Sequence, residues 1–208
     1  PISPSLTYEQ KLKLDDLAER LIASEEPVTI LIDGHEAEIS EYLIKKLPNA
    51  RVVMDGGSLR ASNIKLAAWT DYFVVSEHFA RDYMSYRSLS TEAEIKAALI
   101  ELNKICRGEA FITLGEKGCA FLKSGMLQIV PSWLCNAVDT TGAGDVFHGA
   151  FTYGVHYSWH IDNIILFASL TAAISIEKKG VRESMPDLAV VHHSLNSYER
   201  NLKQYFEE

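Results

Sequence analysis

Short runs of consecutive apolar residues alternate along this chain with longer stretches in which apolar positions recur every three or four residues. The stretch TYEQKLKLDDLAERLIASEE carries Leu12, Leu17, Leu21 and Ile22 near helical spacing with charges between them, and Pro27 follows as a stop. VTILID, from Val28 to Asp33, is a continuous apolar run of strand length bounded by Asp33 and Gly34. EAEISEYLIKKL then predicts a helix, RVVMD a second strand, NIKLAAW a short helix and DYFVVS a third strand. EHFARDYM and TEAEIKAALIELNKIC predict two further helices, and AFITLG a fourth strand. Continuous apolar strands separated by amphipathic helices mark βαβ units whose parallel sheet is covered on both faces. The expected fold class is α/β: a three-layer α/β/α domain with a mostly parallel central sheet.

Beyond AFITLG the pattern changes. EKG reads as a turn, CAFLK as a strand, SG as a turn and LQIV as a strand, so a β-hairpin follows the fourth strand. Two apolar helices close the pattern, Asp145 to about Tyr157 and Asp162 to about Ile176. At 208 residues without an internal repeat, one domain over 1–208 is expected. Ligands of an open parallel sheet sit outside the carboxyl ends of its strands. The residues at that edge are Asp33-Gly34-His35, Asp55-Gly56-Gly57-Ser58, Ser76-Glu77 and Thr113-Leu114-Gly115.

Charge and composition narrow the chemistry. A net charge of -8 argues against a surface that binds a phosphate backbone, so nucleic acid is not an expected partner. The three cysteines, Cys106, Cys119 and Cys135, are odd in number and form no C-x-x-C, which suits reduced thiols and a cytoplasmic setting. The greasiest stretch, Ile164 to Ile176, is too short and too Ser/Thr-dotted to span a bilayer, and no membrane partner is expected.

The densest chemical signal is VDTTGAGDVFHGAF, Val138 to Phe151. Glycine in a helical first turn costs about 1 kcal/mol relative to alanine, so Gly142 and Gly144 need a local reason. A Gly-Ala-Gly turn leading into a helix points bare backbone N–H groups outward with the positive end of the helix dipole behind them. Asp145 in the first turn also suits dipole compensation alone. A carboxylate beside an anion cradle is nevertheless the pairing that phosphoryl transfer needs.

DTTGAGDVFHGAF resembles the C-terminal signature of the ribokinase-like (PfkB) carbohydrate kinases, D-T-x-G-A-G-D-x-F, and TLGEKG before a hairpin lies at the expected distance upstream. No G-x-x-x-x-G-K-[ST] occurs, so a P-loop is not the route to ATP. The resemblance implies ATP-dependent transfer of a phosphoryl group to a hydroxyl of a small sugar, with Mg²⁺. It implies Asp145 as catalytic base and Gly142, Ala143 and Gly144 as the anion hole. Ser76, Thr113, Gly115, Gly118 and Gly144 fall at nucleotide-binding positions, and Asp55 and Arg60, retained within DGGSLR, face the substrate together with Asp145. A monovalent cation such as K⁺ would be bound at Asp139, Thr141, Ser175, Gly180 and Ser184.

The chain departs from the family pattern in three places. Where the family has N-x-x-E after the third strand this chain has SEHF, with Ser76 at the Asn position, Phe79 at the Glu position and Glu77 as a neighbouring acid. DPNxR becomes DGGSLR. Nothing in residues 1–27 resembles the strand-rich N-terminal segment that supplies the family's Gly-Gly sugar motif and β-sheet lid. That absence implies the C-terminal two-thirds of a longer chain without its lid, with an unpaired sheet edge; a homodimer stays open for the full-length protein. A nucleoside kinase of the same fold and a non-catalytic nucleotide- or sugar-binding module remain alternatives. His156 and His160 are four apart on an expected helix but lack a third metal ligand. His148, three residues after Asp145, faces the same side of its helix. His192 and His193 are expected on the surface of a polar C-terminal helix.

Overall fold

Four apolar runs become parallel strands in the order in which the chain supplies them. The computed structural model describes residues 6–196. It contains α1 (Tyr8–Ala23), β1 (Thr29–Ile32), α2 (Ala37–Lys46), β2 (Arg51–Gly56), α3 (Ala61–Ala67), β3 (Tyr72–Ser76), α4 (Glu77–Tyr83), α5 (Glu92–Asn103) and β4 (Glu109–Thr113). A 3₁₀ turn, Gly115–Lys117, leads to β5 (Cys119–Lys123) and β6 (Met126–Val130), and α6 (Ala143–His156) and α7 (Ile161–Ser175) follow. Residues 188–196 are again helical. The strands form one sheet in the order β1-β2-β3-β4-β5-β6, parallel from β1 to β4 and antiparallel between β4 and β5. This is the α/β, mostly parallel architecture that the pattern predicts, with its hairpin after the fourth strand. Ser124 and Gly125 both take positive φ, 52° and 76°, the requirement of a two-residue hairpin turn matched to strand twist.

Two compact units share these elements. The first runs to Gly115 and takes in Cys119–Ile129; the second comprises Glu116–Gly118 and the residues from Val130 onward. In the first unit the helices that join consecutive parallel strands lie on one face, as right-handed crossovers require. Ile44, Leu66, Phe79, Ala98, Leu99 and Leu102 pack there against Val52, Met54, Phe73, Val75, Ala110 and Ile112. The intervening strand positions Val53, Val74 and Phe111 are also buried, so both faces of these strands are apolar, as in a central parallel sheet. Helix α1 starts at a capping box between Thr7 and Gln10 and is tied to α2 by Asp15, which accepts from the Tyr42 hydroxyl at 2.9 Å and pairs with Lys46 at 2.7 Å.

Phe79, expected at an acidic position of the pattern that the sequence resembles, is a core residue. It is 0% exposed and meets Phe73 edge-on, with ring centroids 5.6 Å apart. Phe79→Ala is therefore expected to destabilise the first unit by about 3–5 kcal/mol; a chemical-denaturation midpoint unmoved by the substitution would contradict this packing.

In the second unit α6 packs on α7, Gly154 lying close to Ile164, and Phe151, Val155, Ile164 and Ala168 of these helices are buried. The C-terminal end of α6 carries an aromatic cluster in which Phe167 stacks on Tyr153 and meets Trp159 edge-on, at centroid distances of 5.7 and 5.1 Å. Two expectations change here. Helix α6 ends at His156, and His160 instead caps α7 and pairs with Asp162 at 3.2 Å, so the helical spacing assumed for His156 and His160 is not realised. His192 is half-buried, 5.8 Å from the Phe167 ring, because its helix lays one side against this cluster; His193 is exposed. Among the described residues no helix is long and apolar enough to cross a membrane.

Candidate active site

The expected site residues fall into two groups, one in each unit. In the first unit the register sets Asp55 opposite Val74 and Ser76 opposite Thr113. With side chains alternating along each strand, Asp55, Ser76 and Thr113 share the face opposite the crossover helices, at the carboxyl ends of β2, β3 and β4. The Ser76 hydroxyl donates to Gly57 O at 2.8 Å and accepts from Phe79 N at 3.0 Å, so it caps α4 and spends its only proton on the neighbouring loop. Thr113 Oγ1 donates to Val75 O at 3.4 Å. Glu77 lies in the first turn of α4, suited to the helix dipole.

Arg60 has a partner that sequence reasoning missed. Its Nη1 lies 2.9 Å from His35 Nε2. Guanidinium only donates, so Nε2 accepts and the His35 proton sits on Nδ1. The His35 backbone N–H donates to Asp33 Oδ1 at 2.9 Å, and the fully buried Asn63 donates from Nδ2 to Asp33 O at 3.4 Å. A side chain at Gly34 would strike Asn63. The signal was present: both turns follow neighbouring parallel strands, so their first residues meet at one sheet edge.

The two glycines of TLGEKG behave differently. Gly118 has φ +102°, and a Cβ there would lie 2.0 Å from Val130 O, so the fold itself demands it. At Gly115 a Cβ would meet nothing within 4 Å.

In the second unit the residues from Asp139 to Asp145 form one connected turn. Val138 N and Asp139 N both donate to Ile176 O, at 2.7 and 3.1 Å. The Asp139 carboxylate accepts from Thr141 N at 3.1 Å and Gly180 N at 3.3 Å, joining this turn to the loop after α7. These bonds, the Thr141 hydroxyl first, hold the Asp139 carboxyl below the usual carboxylate range. Its folded-state value is depressed, so its contribution to stability is complete above the ordinary aspartate range and fades as pH falls through the folded value. Asp139→Asn should therefore flatten the acid side of the stability-against-pH curve; an unchanged acid limb would show that the carboxylate contributes nothing through these bonds.

Gly142 stands at the N-cap of α6 with φ +75°, and an added Cβ would lie 2.6 Å from a Val181 methyl. Only glycine fits that conformation and that space. Ala143 N donates to Thr140 O and Val146 N to Gly142 O, whereas Gly144 N and Asp145 N have no hydrogen-bond partner among the described residues. Gly144 is helical, and a Cβ there would meet nothing within 4 Å. The Asp145 carboxylate in the same turn is exposed. The arrangement presents two bare N–H donors, an open approach and a carboxylate at the positive end of a helix.

The residues expected around a monovalent cation also belong to this unit. Ser175 and Ser184 are buried, and their hydroxyls donate to Ala172 O and Val181 O, leaving oxygen lone pairs for a cation. Gly180 O already accepts from Ser184 N. No group of three or more His, Cys, Asp or Glu side chains is placed to hold a metal among the described residues.

Known proteins resemble this chain over most of its length. It is 29% identical over 189 residues to the ribokinase of Lactococcus lactis, covering 91% of this chain and 60% of that protein. The deoxyribokinase of Salmonella typhi is 31% identical over 131 residues, covering 63% and 42%. The crystal structure of the Thermotoga maritima ribokinase superposes with a TM-score of 0.72 at 24% identity, over 88% of this chain and 61% of that one. The Arabidopsis thaliana ribokinase complexed with ribose and ATP gives 0.71 at 20% identity, over 91% and 59%. The chain thus spans about three fifths of the first of these relatives. The pattern of the pfkB family carbohydrate kinases matches residues 58–188, from the carboxyl edge of β2 through the cradle to the loop after α7, and the chain belongs to that family.

Proposed function

We propose that this chain carries the phosphoryl-transfer machinery of an ATP-dependent carbohydrate kinase. The observation that bears most weight is the start of α6, where two N–H groups lack partners among the described residues, Gly144 leaves open space and a carboxylate stands in the same turn. In the reaction this supports, the Asp145 carboxylate takes the proton of a sugar hydroxyl as its oxygen attacks the γ-phosphorus. The bond to the bridging oxygen breaks and ADP leaves, while the Gly144 and Asp145 N–H groups hold the charge on the transferring group; the Ala143 N–H, spent on Thr140 O, takes no part. Thr113 and Gly115 suit the nucleotide, Gly115 through its open space. Asp55 and Arg60 suit the sugar, with His35 orienting the guanidinium.

Mg²⁺ supplies charge neutralisation along the phosphates in such a reaction. Phe79 takes no part in holding it, being sealed in the core. For K⁺, the buried hydroxyl oxygens of Ser175 and Ser184 and carbonyls at Asp139, Thr141 and Gly180 offer hard oxygen ligands near the Asp139 charge. Similarity to ribokinases, to a deoxyribokinase and to a ribokinase complexed with ribose and ATP supports a pentose as first substrate to test. The protein with its natural flanking sequence, incubated with ATP and a panel of pentoses and hexoses, should yield ADP and a sugar heavier by one phosphoryl group in equal amounts. ATP binding without any phosphorylated product across the panel would overturn the kinase reading in favour of a non-catalytic binding module.

A further inference from the structure

His148 is 3% exposed, and its Nδ1 lies 2.7 Å from Gly144 O. A carbonyl only accepts, so the ring proton is on Nδ1. In a regular helix the backbone N–H of residue 148 already bonds that carbonyl. The ring bond is therefore a second one, not needed to satisfy the oxygen. A buried apolar side chain would fill the same place without the demand for a partner that imidazole brings.

The Gly144 carbonyl shares a rigid peptide plane with the Asp145 N–H, since the peptide bond is planar. Fixing one end of that plane fixes the direction of the other. The Asp145 N–H is one of the two first-turn donors without a partner among the described residues, and the same residue carries the carboxylate. First-turn peptides lack the full ladder that steadies later turns, so an added bond matters most here. We propose that His148 is a positioning residue, whose Nδ1–H holds the Gly144–Asp145 peptide so that the Asp145 N–H points at the transferring phosphoryl group. The inference rests on the kinase reading of this turn.

The protein contains its own control for a replacement. In α5, Asn103 Nδ2 donates to Leu99 O at 2.8 Å, the same side chain to fourth-preceding carbonyl bond. His148→Asn can copy it, while His148→Leu keeps bulk but has no donor. If His148 positions the peptide, H148L loses about tenfold in kcat, a fraction of what an ångström of misplacement can cost, with KM for ATP nearly unchanged. H148N should rescue most of that loss, with both variants melting close to the parent. Ring ¹⁵N shifts of the parent should report the Nδ1–H form whatever the activity. A parental kcat in H148L, an equal loss in H148N, a kcat loss that merely follows melting temperature, or an Nε2–H ring would each overturn the inference. Asp145→Asn, run beside them, separates the two ideas. Turnover abolished there with H148L at the parental rate sinks only the role of His148, whereas turnover retained there sinks the assignment of this turn as the reacting site beneath it.

Discussion

Asp145→Asn is expected to lower kcat by about 10²–10⁴-fold, the range over which a positioned general base acts. The substitution keeps size and planar shape and removes the ability to take a proton. The carboxylate is exposed in the first turn of α6, makes no bond that the helix requires and leaves Gly142 as the N-cap, so folding should be unaffected. An Asp145 that served only to compensate the helix dipole would behave differently: its loss would cost roughly 0.3–1 kcal/mol of stability and leave turnover alone. The two roles are separated by measuring kcat, nucleotide affinity and melting temperature on the same preparation. Parental kcat in the variant would place the base elsewhere.

Gly144→Ala is expected to divide stability from activity. The position is helical, and a methyl group there meets no atom within 4 Å, so the fold gives no penalty and the helix gains about 0.5–1 kcal/mol. The same methyl stands where a phosphoryl group must approach the bare Gly144 and Asp145 N–H groups. Losing one such donor typically costs about 10²–10³ in rate. The variant should melt at or above the parental temperature while its kcat/KM falls by about two orders of magnitude. Unchanged kcat/KM would refute the cradle. Gly142→Ala cannot make this separation, because its positive φ and the Val181 methyl at 2.6 Å would damage the turn itself.

The parts of the site legible in the primary structure were those whose chemistry is local. DTTGAGD places a glycine turn, a capping position and a carboxylate within a few residues, and helix-end physics needs nothing more distant. The contacts that were not legible there depend on where another segment lies. Arg60 stands at a substrate-facing position in the family pattern, and only the β1–β2 pairing brings His35 to it. Ser76 stands at a ligand position in the family pattern, and only the fold adds that its proton goes to Gly57 O across the sheet edge. His160 sat at helical spacing from His156, but Ser158 adopts φ 58°, a conformation that ends a helix and that a spacing rule does not see.

Apolar periodicity alone determined the α/β class, the four parallel strands and the hairpin, because a continuous apolar strand is stable only where both its faces are covered. The glycines of VDTTGAGD, read with helix-end physics, also determined that a helix opens within this stretch on bare N–H groups. The tertiary structure decided which face each strand residue takes, that Phe79 fills the core in place of an acid, and that Asp139 links its turn to Gly180. These outcomes depend on pairing register and on contacts between residues far apart in the chain, and a one-residue change of register exchanges the two faces of a strand.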